Sequence, residues 1–416
     1  MRSVVALAVL LAACGDDGGT PRDGDVADAI VSDGTVGDPC EPQVGCPLTP
    51  SVVRGSGLFA LDRCSFPLAP SAPANADALI DAYPLMRLSI ADVALDLNRV
   101  AARSATVPGG PTGLIRAYAW QPGDEAVTYW TPQGITGSFD ATATGTIGGK
   151  KLVLVSWYYT KENETGSTVE KGIRIAIADV TNPDAVTYRF ALLVEPTGTV
   201  AAPSFVAVPY HAGGLAWIGD RLYVPITGSG FRVFDLSRIL KVTALDDLIG
   251  RTAAGTYNAH GYAYAIPQIA TYTSTQCDPR FSFVALDRTS TPPSLISGEY
   301  DAATVNGRLY RWPLAADGTL QLTSKGRVLP DDAWVMAESH IQGAAAKGAT
   351  VWLSSSRPAG SGGELVRTSV GATSTYLPWS DSPEDLAIDP QGASVWSLTE
   401  GLDARYFFEI ALAAID

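Results

Sequence analysis

The sequence predicts an all-β chain built as a β-propeller, and three observations predict it. From about residue 113 onward, short alternating runs of Val, Leu, Ile, Tyr, Trp and Thr are punctuated by Gly, Pro and Asp, the pattern of strands and tight turns. A six-residue pattern recurs without gaps at 131–136, 211–216, 340–345 and 382–387, and internal repeats of this kind mark stacked or radial architectures. Each copy is followed by two further strand-like runs, and another run closes the unit before the next begins. Four strands repeated radially form the blades of a propeller.

The second strands are expected at 151–156, 221–226, 350–355 and 394–398. The third begin at Gly172, Gly230 and Gly363, and at Arg405 in the last copy. A degenerate copy supplies runs at 280–285, 294–298 and 307–311, and fourth strands are expected near 188–193, 261–266 and 374–378. The chain ends at Asp416 directly after the third strand of the last unit, while a spare strand lies within 114–130. That N-terminal strand is expected to complete the C-terminal blade, which removes the open edges a free sheet would leave. The propeller thus occupies 113–416 with five blades, six being the runner-up if 239–259 holds more strands. Residues 42–112 form an N-terminal extension with one amphipathic helix. In it Ile90, Val93, Ala94, Leu97, Val100 and Ala101 fall at helical spacing, and Ser89 is the N-cap with Asp92 three residues on.

The first forty residues have a different character. One charge at Arg2 precedes an apolar run from Val4 to Ala13, far shorter than the roughly 20 residues of a membrane-spanning helix. It has the proportions of a signal peptide, residues 1–13. The run ends Leu11-Ala12-Ala13-Cys14 and resembles the lipobox of bacterial lipoproteins. The resemblance implies a lipid thioether on Cys14, which becomes the mature N-terminus, and an exported chain anchored to a membrane facing the periplasm or cell surface. Residues 14–41 read as an acidic disordered tether. Between Gly15 and Glu41 seven Asp and one Glu face one Arg, a net of −7 out of −14 for the whole chain, and so little apolar surface cannot offset chain entropy. No basic stretch occurs, which argues against nucleic acid as a partner. Besides Cys14 four cysteines remain, Cys40, Cys46, Cys64 and Cys277. An even number in an exported chain predicts two disulfides, with three pairings open and Cys277 joined to one of the N-terminal three.

Several runs carry a further resemblance: Pro132-Gln133-Gly134-Ile135, residues 152–157, residues 211–217, residues 230–236 and residues 282–289. Over residues 90–416 the chain looks like a family of uncharacterised secreted bacterial proteins and lipoproteins with a propeller-like repeat. The resemblance implies export and fold, and no activity.

In a propeller the innermost strand of each blade starts at one mouth of the central channel, so equivalent repeat positions form a ring there. The ring is expected to hold Thr131, Gln133, His211, Arg280 or Ser282, His340, Gln342, Ser382 and Glu384. Of the three histidines, His211 and His340 share one repeat position, and His260 precedes an outer strand. As a functional ring these groups bind a small molecule, a glycan or a protein. His211, His340 and Glu384 are the ligands of a divalent metal if one is present. As a structural ring they cap backbone groups at loop-to-strand junctions, with the adjacent glycines allowing close packing at the axis. GxSxG, P-loop, GxGxxG and HExxH signatures are absent from the sequence. The enzymatic alternatives to a binding or scaffold module are a hydrolase of a glycan or similar polymer, with a glycosidase-type set of Asp140, Glu384 and Asp385, and a metal-dependent small-molecule enzyme using His211, His340 and Glu384. Trp130, Trp157, Trp217, Trp352 and Trp396 read as core between blades rather than sugar platforms.

Overall fold

A computed structural model describes residues 35–41, 45–82, 85–357 and 362–416. Cys14, the apolar run before it and most of the acidic segment lie outside the described residues.

The repeat folds into runs of four antiparallel strands, of which the first two are joined in one 13-stranded sheet because Thr187–Thr199 also pairs in parallel with Tyr264–Ser274. The first is Trp130–Gly137, Leu152–Tyr159, Ile173–Asp179 and Thr187–Thr199. The second is Ala216–Ile218, Arg221–Ile226, Gly230–Asp235 and Tyr264–Ser274. The degenerate copy gives Phe283–Asp287, Ser294–Gly298, Arg308–Pro313 and Asp332–Val335. Next comes Ile341–Lys347, Thr350–Ser355, Gly363–Ser369 and Ala372–Trp379. In the last sheet Pro383–Asp389, Ser394–Thr399 and Tyr406–Ala411 receive Leu114–Ala119 as their fourth strand. First and last parts of the chain are therefore hydrogen-bonded side by side.

Side-chain alternation explains how the sheets stack. Successive strand residues point to opposite faces, and here both faces are apolar. Leu152 and Leu154 enter a core with Leu215, Trp217 and Leu222 of the second unit, whereas Val153, Val155 and Trp157 enter one with Ala387, Trp396 and Phe407 of the last. Tyr223 and Val233 meet Val284 and Tyr310, Phe283 and Ile296 meet Ala344 and Leu353, and Trp352 and Leu365 meet Leu386 and Phe408. Each unit is sandwiched between two others, so the cores form a closed, propeller-like circuit. Trp157, Trp217, Trp352 and Trp396 are fully buried in it, as inter-sheet core.

The N-terminal extension differs from the expected single helix. Ser89 does cap a turn, with a complete capping box to Asp92, but the helix covers only Ile90–Val93. Asn98 and Ala101 donate their backbone N–H groups to Tyr188 and Val186, and Arg99–Val100 pairs with Thr187–Thr199. An unpaired sheet edge offers these residues more hydrogen bonds than another helical turn would. The same happens along the whole extension. Phe59–Ala60 pairs with Asp332–Val335, Leu68–Ser71 with Tyr264–Ser274, Met86–Leu88 with Ile239–Lys241, and Ala102–Ser104 with Leu114–Ala119. It is a belt that covers outer edges. The 239–259 stretch adds Ile239–Lys241 and a two-stranded hairpin, Ile249–Arg251 with Tyr257–Ala259.

The belt is fixed covalently by Cys40–Cys64 and Cys46–Cys277. The described end of the acidic segment is docked rather than free. Asp38 receives Arg327 at 2.7 Å, and that guanidinium holds its carboxyl well below the usual carboxylate range.

Removing residues 1–130 takes away both the closing strand and the belt, so fragment 131–416 should aggregate on size-exclusion chromatography. Removing only 1–34 should leave a cooperatively melting monomer. A soluble 131–416 fragment with one sharp thermal transition would contradict this closure.

Candidate functional site

The inner strands share a distortion at one repeat position. Register shifts lie between Pro132 and Ile135, between Ile341 and Gly343, and between Pro383 and Leu386. Such bulges re-aim side chains away from the regular alternation, here at Gln133, Gln342 and the pair Glu384-Asp385. The next aligned position is Gly134, Gly214 and Gly343, with Asp385 the exception in the last copy. The glycines let backbones meet: a Cβ on Gly134 would stand 2.7 Å from the Gly214 carbonyl carbon, and one on Gly343 would stand 2.6 Å from the Asp385 Cα. Asp385 fills the space they leave. Its Oδ2 accepts the backbone N–H of Ile135, on the first strand of the first unit, at 3.1 Å and of Leu215, just before the first strand of the second, at 3.2 Å, tying both to its own strand. Ser156 adds to this, its hydroxyl accepting from Gly134 N–H and donating to the Ala212 carbonyl.

Above this knot lies a cavity of about 320 Å³ lined by Gln133, Tyr158, His211, Gly213, Thr227, Ser282, Tyr300, Gln342 and Glu400. The repeat thus brings Gln133, His211, Ser282 and Gln342 together as expected. His211 is exposed at the rim and stacks on Tyr158, centroids 4.3 Å apart, and desolvation against this wall lowers its pKa. Gln133 donates to Glu400 at 2.8 Å and Gln342 to Glu384 at 3.1 Å.

The other ring candidates do not line the cavity. Arg280 buttresses it, donating from its guanidinium to the Tyr300 carbonyl at 2.8 Å and from its backbone to Glu299. His340 packs edge-on to Tyr300, its Nδ1 3.1 Å from the Ser339 hydroxyl. The Ser382 carbonyl accepts from Glu400 N–H, and Thr131 sits beside Tyr158 on paired strands. These are the capping and bracing roles. Glu384 is 1% exposed beneath Gln342. Asp140 accepts from Thr136 and pairs with Arg288 at 2.8 Å, so it is held by partners of its own. Among the described residues no group of three His, Cys, Asp or Glu side chains is placed to hold a metal ion. His260 belongs to another cavity.

Repeat reasoning missed Tyr158, Thr227, Tyr300 and Glu400. All four lie at or just beyond the end of a second strand, where the chain returns to the mouth. Extending the alignment to that position would have found them.

The acids are electrostatically unusual. Burial raises Glu384 well above the ordinary range, with Glu400 and Asp385 adding repulsion. Burial also raises Asp385, against the pull of its backbone donors, and raises Glu400. Asp140 is pushed up to about 6 by burial despite Arg288. Glu384 Oε2 and Asp385 Oδ1 are buried with no hydrogen-bond partner among the described residues. A carboxyl whose folded pKa exceeds its unfolded value contributes fully below the unfolded value, about 4, and its contribution is lost as pH rises through the folded one. Glu384→Gln removes one such group. The variant's melting temperature should therefore rise relative to wild type as pH goes from about 5 to about 8. A difference that stays constant with pH would contradict the neutral-acid state of Glu384.

No family model matches the chain, and no curated protein matches it. Similar solved structures include Kuenenia stuttgartiensis hydrazine synthase, 11% identical over 67% of this chain and 76% of that one, with a TM-score of 0.30. Another is the Cps50 (Swd1) β-propeller domain of Myceliophteria thermophila, 9% identical over 72% of this chain and 100% of that one, with a TM-score of 0.33.

Proposed function

We propose that the chain is an exported, lipid-anchored, five-bladed β-propeller that acts as a binding module, with the cavity over Asp385 as its ligand site. The count of five is supported by five runs of four antiparallel strands joined through shared cores, two of which are hydrogen-bonded into one larger sheet. Export is supported by the apolar run before Cys14 and by two disulfides, which persist in oxidising compartments. Anchoring rests on the lipobox-like Leu11-Ala12-Ala13-Cys14.

The observation that carries the binding reading is the character of the cavity lining. Gln133 and Gln342 each donate one amide N–H to a carboxyl, and their carbonyl oxygens accept from no group among the described residues, so each offers an acceptor to a ligand. No Lys or Arg lines the cavity. Tyr158, Tyr300 and His211 supply flat apolar faces beside these acceptors. A small ligand rich in hydrogen-bond donors, a sugar or an amine, fits this chemistry. Hydrolysis of a glycan draws on Glu400, whose raised pKa suits a general acid. Its second carboxylate would have to be Glu384, which Gln342 covers, so binding is the stronger reading.

Cells fed a palmitate analogue should label the wild-type protein and not the Cys14→Ser variant; label retained by the variant would remove the anchor. In a thermal-shift series of mono- and disaccharides and small amines, at least one should stabilise the purified protein saturably. Gln133→Leu should weaken that ligand by roughly tenfold, the loss of about one good hydrogen bond. His211→Ala should weaken it while changing stability by less than about 0.5 kcal/mol, as expected for an exposed side chain. If His211→Ala destabilises the free protein and leaves ligand affinity unchanged, the rim is a cap and the binding reading fails.

A further inference from the structure

A second cavity, of about 420 Å³, shares no lining residue with the first and has the opposite chemistry. Its cations are Arg99, Lys171, Arg174 and Arg189; Lys171 is paired with Glu164, and among the described lining residues the only carboxylate is Asp124. This runs against a chain whose net charge is −14.

Arg174 is the central group. It is 4% exposed, and its guanidinium carbon lies 3.7 Å from the centre of the Phe190 ring and 4.5 Å from that of Trp130. One nitrogen, Nη1, donates to the Tyr262 hydroxyl at 3.2 Å. Nε and Nη2 have no hydrogen-bond partner among the described residues, and Nη2 is 3.9 Å from Asp124. A buried guanidinium with N–H groups left over is costly unless something accepts from them.

Asp124 cannot satisfy the whole cluster. It also receives Arg99 at 3.1 Å and the Tyr188 hydroxyl at 2.6 Å. Arg99 reaches over the same Phe190 ring, 5.1 Å from its centre, so two guanidinium groups share one aromatic and one carboxylate. Arg189 makes a 3.4 Å contact to Asp96 and lies 5.2 Å from the centre of the Tyr264 ring, and its Nε has no hydrogen-bond partner among the described residues. Like charges are thus concentrated in a concave, partly dry wall, where an incoming anion gains from each of them. Half-buried Tyr129 and Tyr262 add aromatic surface next to the charge, with Trp130 and Phe190 buried behind them.

We propose that this cavity binds an organic anion, a carboxylate or phosphate ester on an apolar body, with Arg99, Arg174 and Arg189 taking the charge and the aromatic wall taking the body. The site is independent of the ligand reading at the first cavity.

The full chain is titrated with phenyl phosphate, benzoate, inorganic phosphate and benzyl alcohol, following melting temperature and tryptophan fluorescence, since Trp130 lines the site. At least one of the two aromatic anions should bind saturably and raise the melting temperature; which of them does so distinguishes an ester from a carboxylate ligand. Benzyl alcohol should do neither, and inorganic phosphate should bind at least about tenfold more weakly, since it lacks the body. Arg99→Gln and Arg189→Gln, both less buried than Arg174, should each weaken the aromatic anion by about tenfold or more, the scale of a charge-assisted hydrogen bond. Each should leave the melting temperature of the free protein within a few degrees of wild type. Gln133→Leu, at the other cavity, should leave anion binding unchanged. The proposal is overturned if neither aromatic anion binds, if inorganic phosphate binds as tightly as phenyl phosphate, or if both arginine variants bind as wild type does.

Discussion

One buried carboxyl holds the centre of this protein. Asp385 sits where three other repeats have glycine, and its single accepting oxygen reaches one backbone donor on the first strand of the first unit and one just before the first strand of the second. The constraint is steric before it is electrostatic. Inner strands converge so closely that most copies tolerate no side chain, and the one side chain admitted must satisfy the backbone groups left over there. Removing a partner of buried donors costs about 1–3 kcal/mol per donor, comparable to a large part of a domain's net stability. The mouth cavity inherits its position from this knot, because the same bulges that bring the glycines together turn Gln133 and Gln342 upward.

Much of this was legible in the sequence where it followed from periodicity. Alternating Val and Leu at 151–156 encode two apolar faces, so sandwiching between neighbouring sheets was implied, and the missing last strand pointed to residues 114–130. The belt was not legible. Its strands are mostly two to four residues long, too short for any period to register, and they form because an edge is waiting rather than through intrinsic preference. The spacing of Ile90, Val93, Ala94 and Leu97 is truly helical, yet the Tyr188 edge captures the chain beyond Asn98. Local pattern lost to a tertiary partner.

The two cavities show the same divide. Gln133, His211, Ser282 and Gln342 were found because repetition puts equal positions in one place. Arg99 comes from the belt, Arg174 and Arg189 from two strands of one sheet and Lys171 from the loop before the first of them, with no shared motif, and only the folded chain gathers them. The neutral acids under the mouth and the crowded cations beside Phe190 are opposite departures from a well-paired interior. In each, buried polar atoms are left without a hydrogen-bond partner among the described residues.

The placement of the disulfides has a mechanical meaning. Tension applied to the described chain at Val36 is met first by its bridge to Thr323 and by the Asp38–Arg327 pair, which can yield one after another. It then meets Cys40–Cys64 and Cys46–Cys277, and the second of these spans 231 residues of chain. Peeling of the belt from that end therefore stops at a covalent clamp before any strand of the ring is loaded. From there the force passes into the second and third units together. A slender, easily unzipped lead-in is in this way converted into a grip on the ring itself.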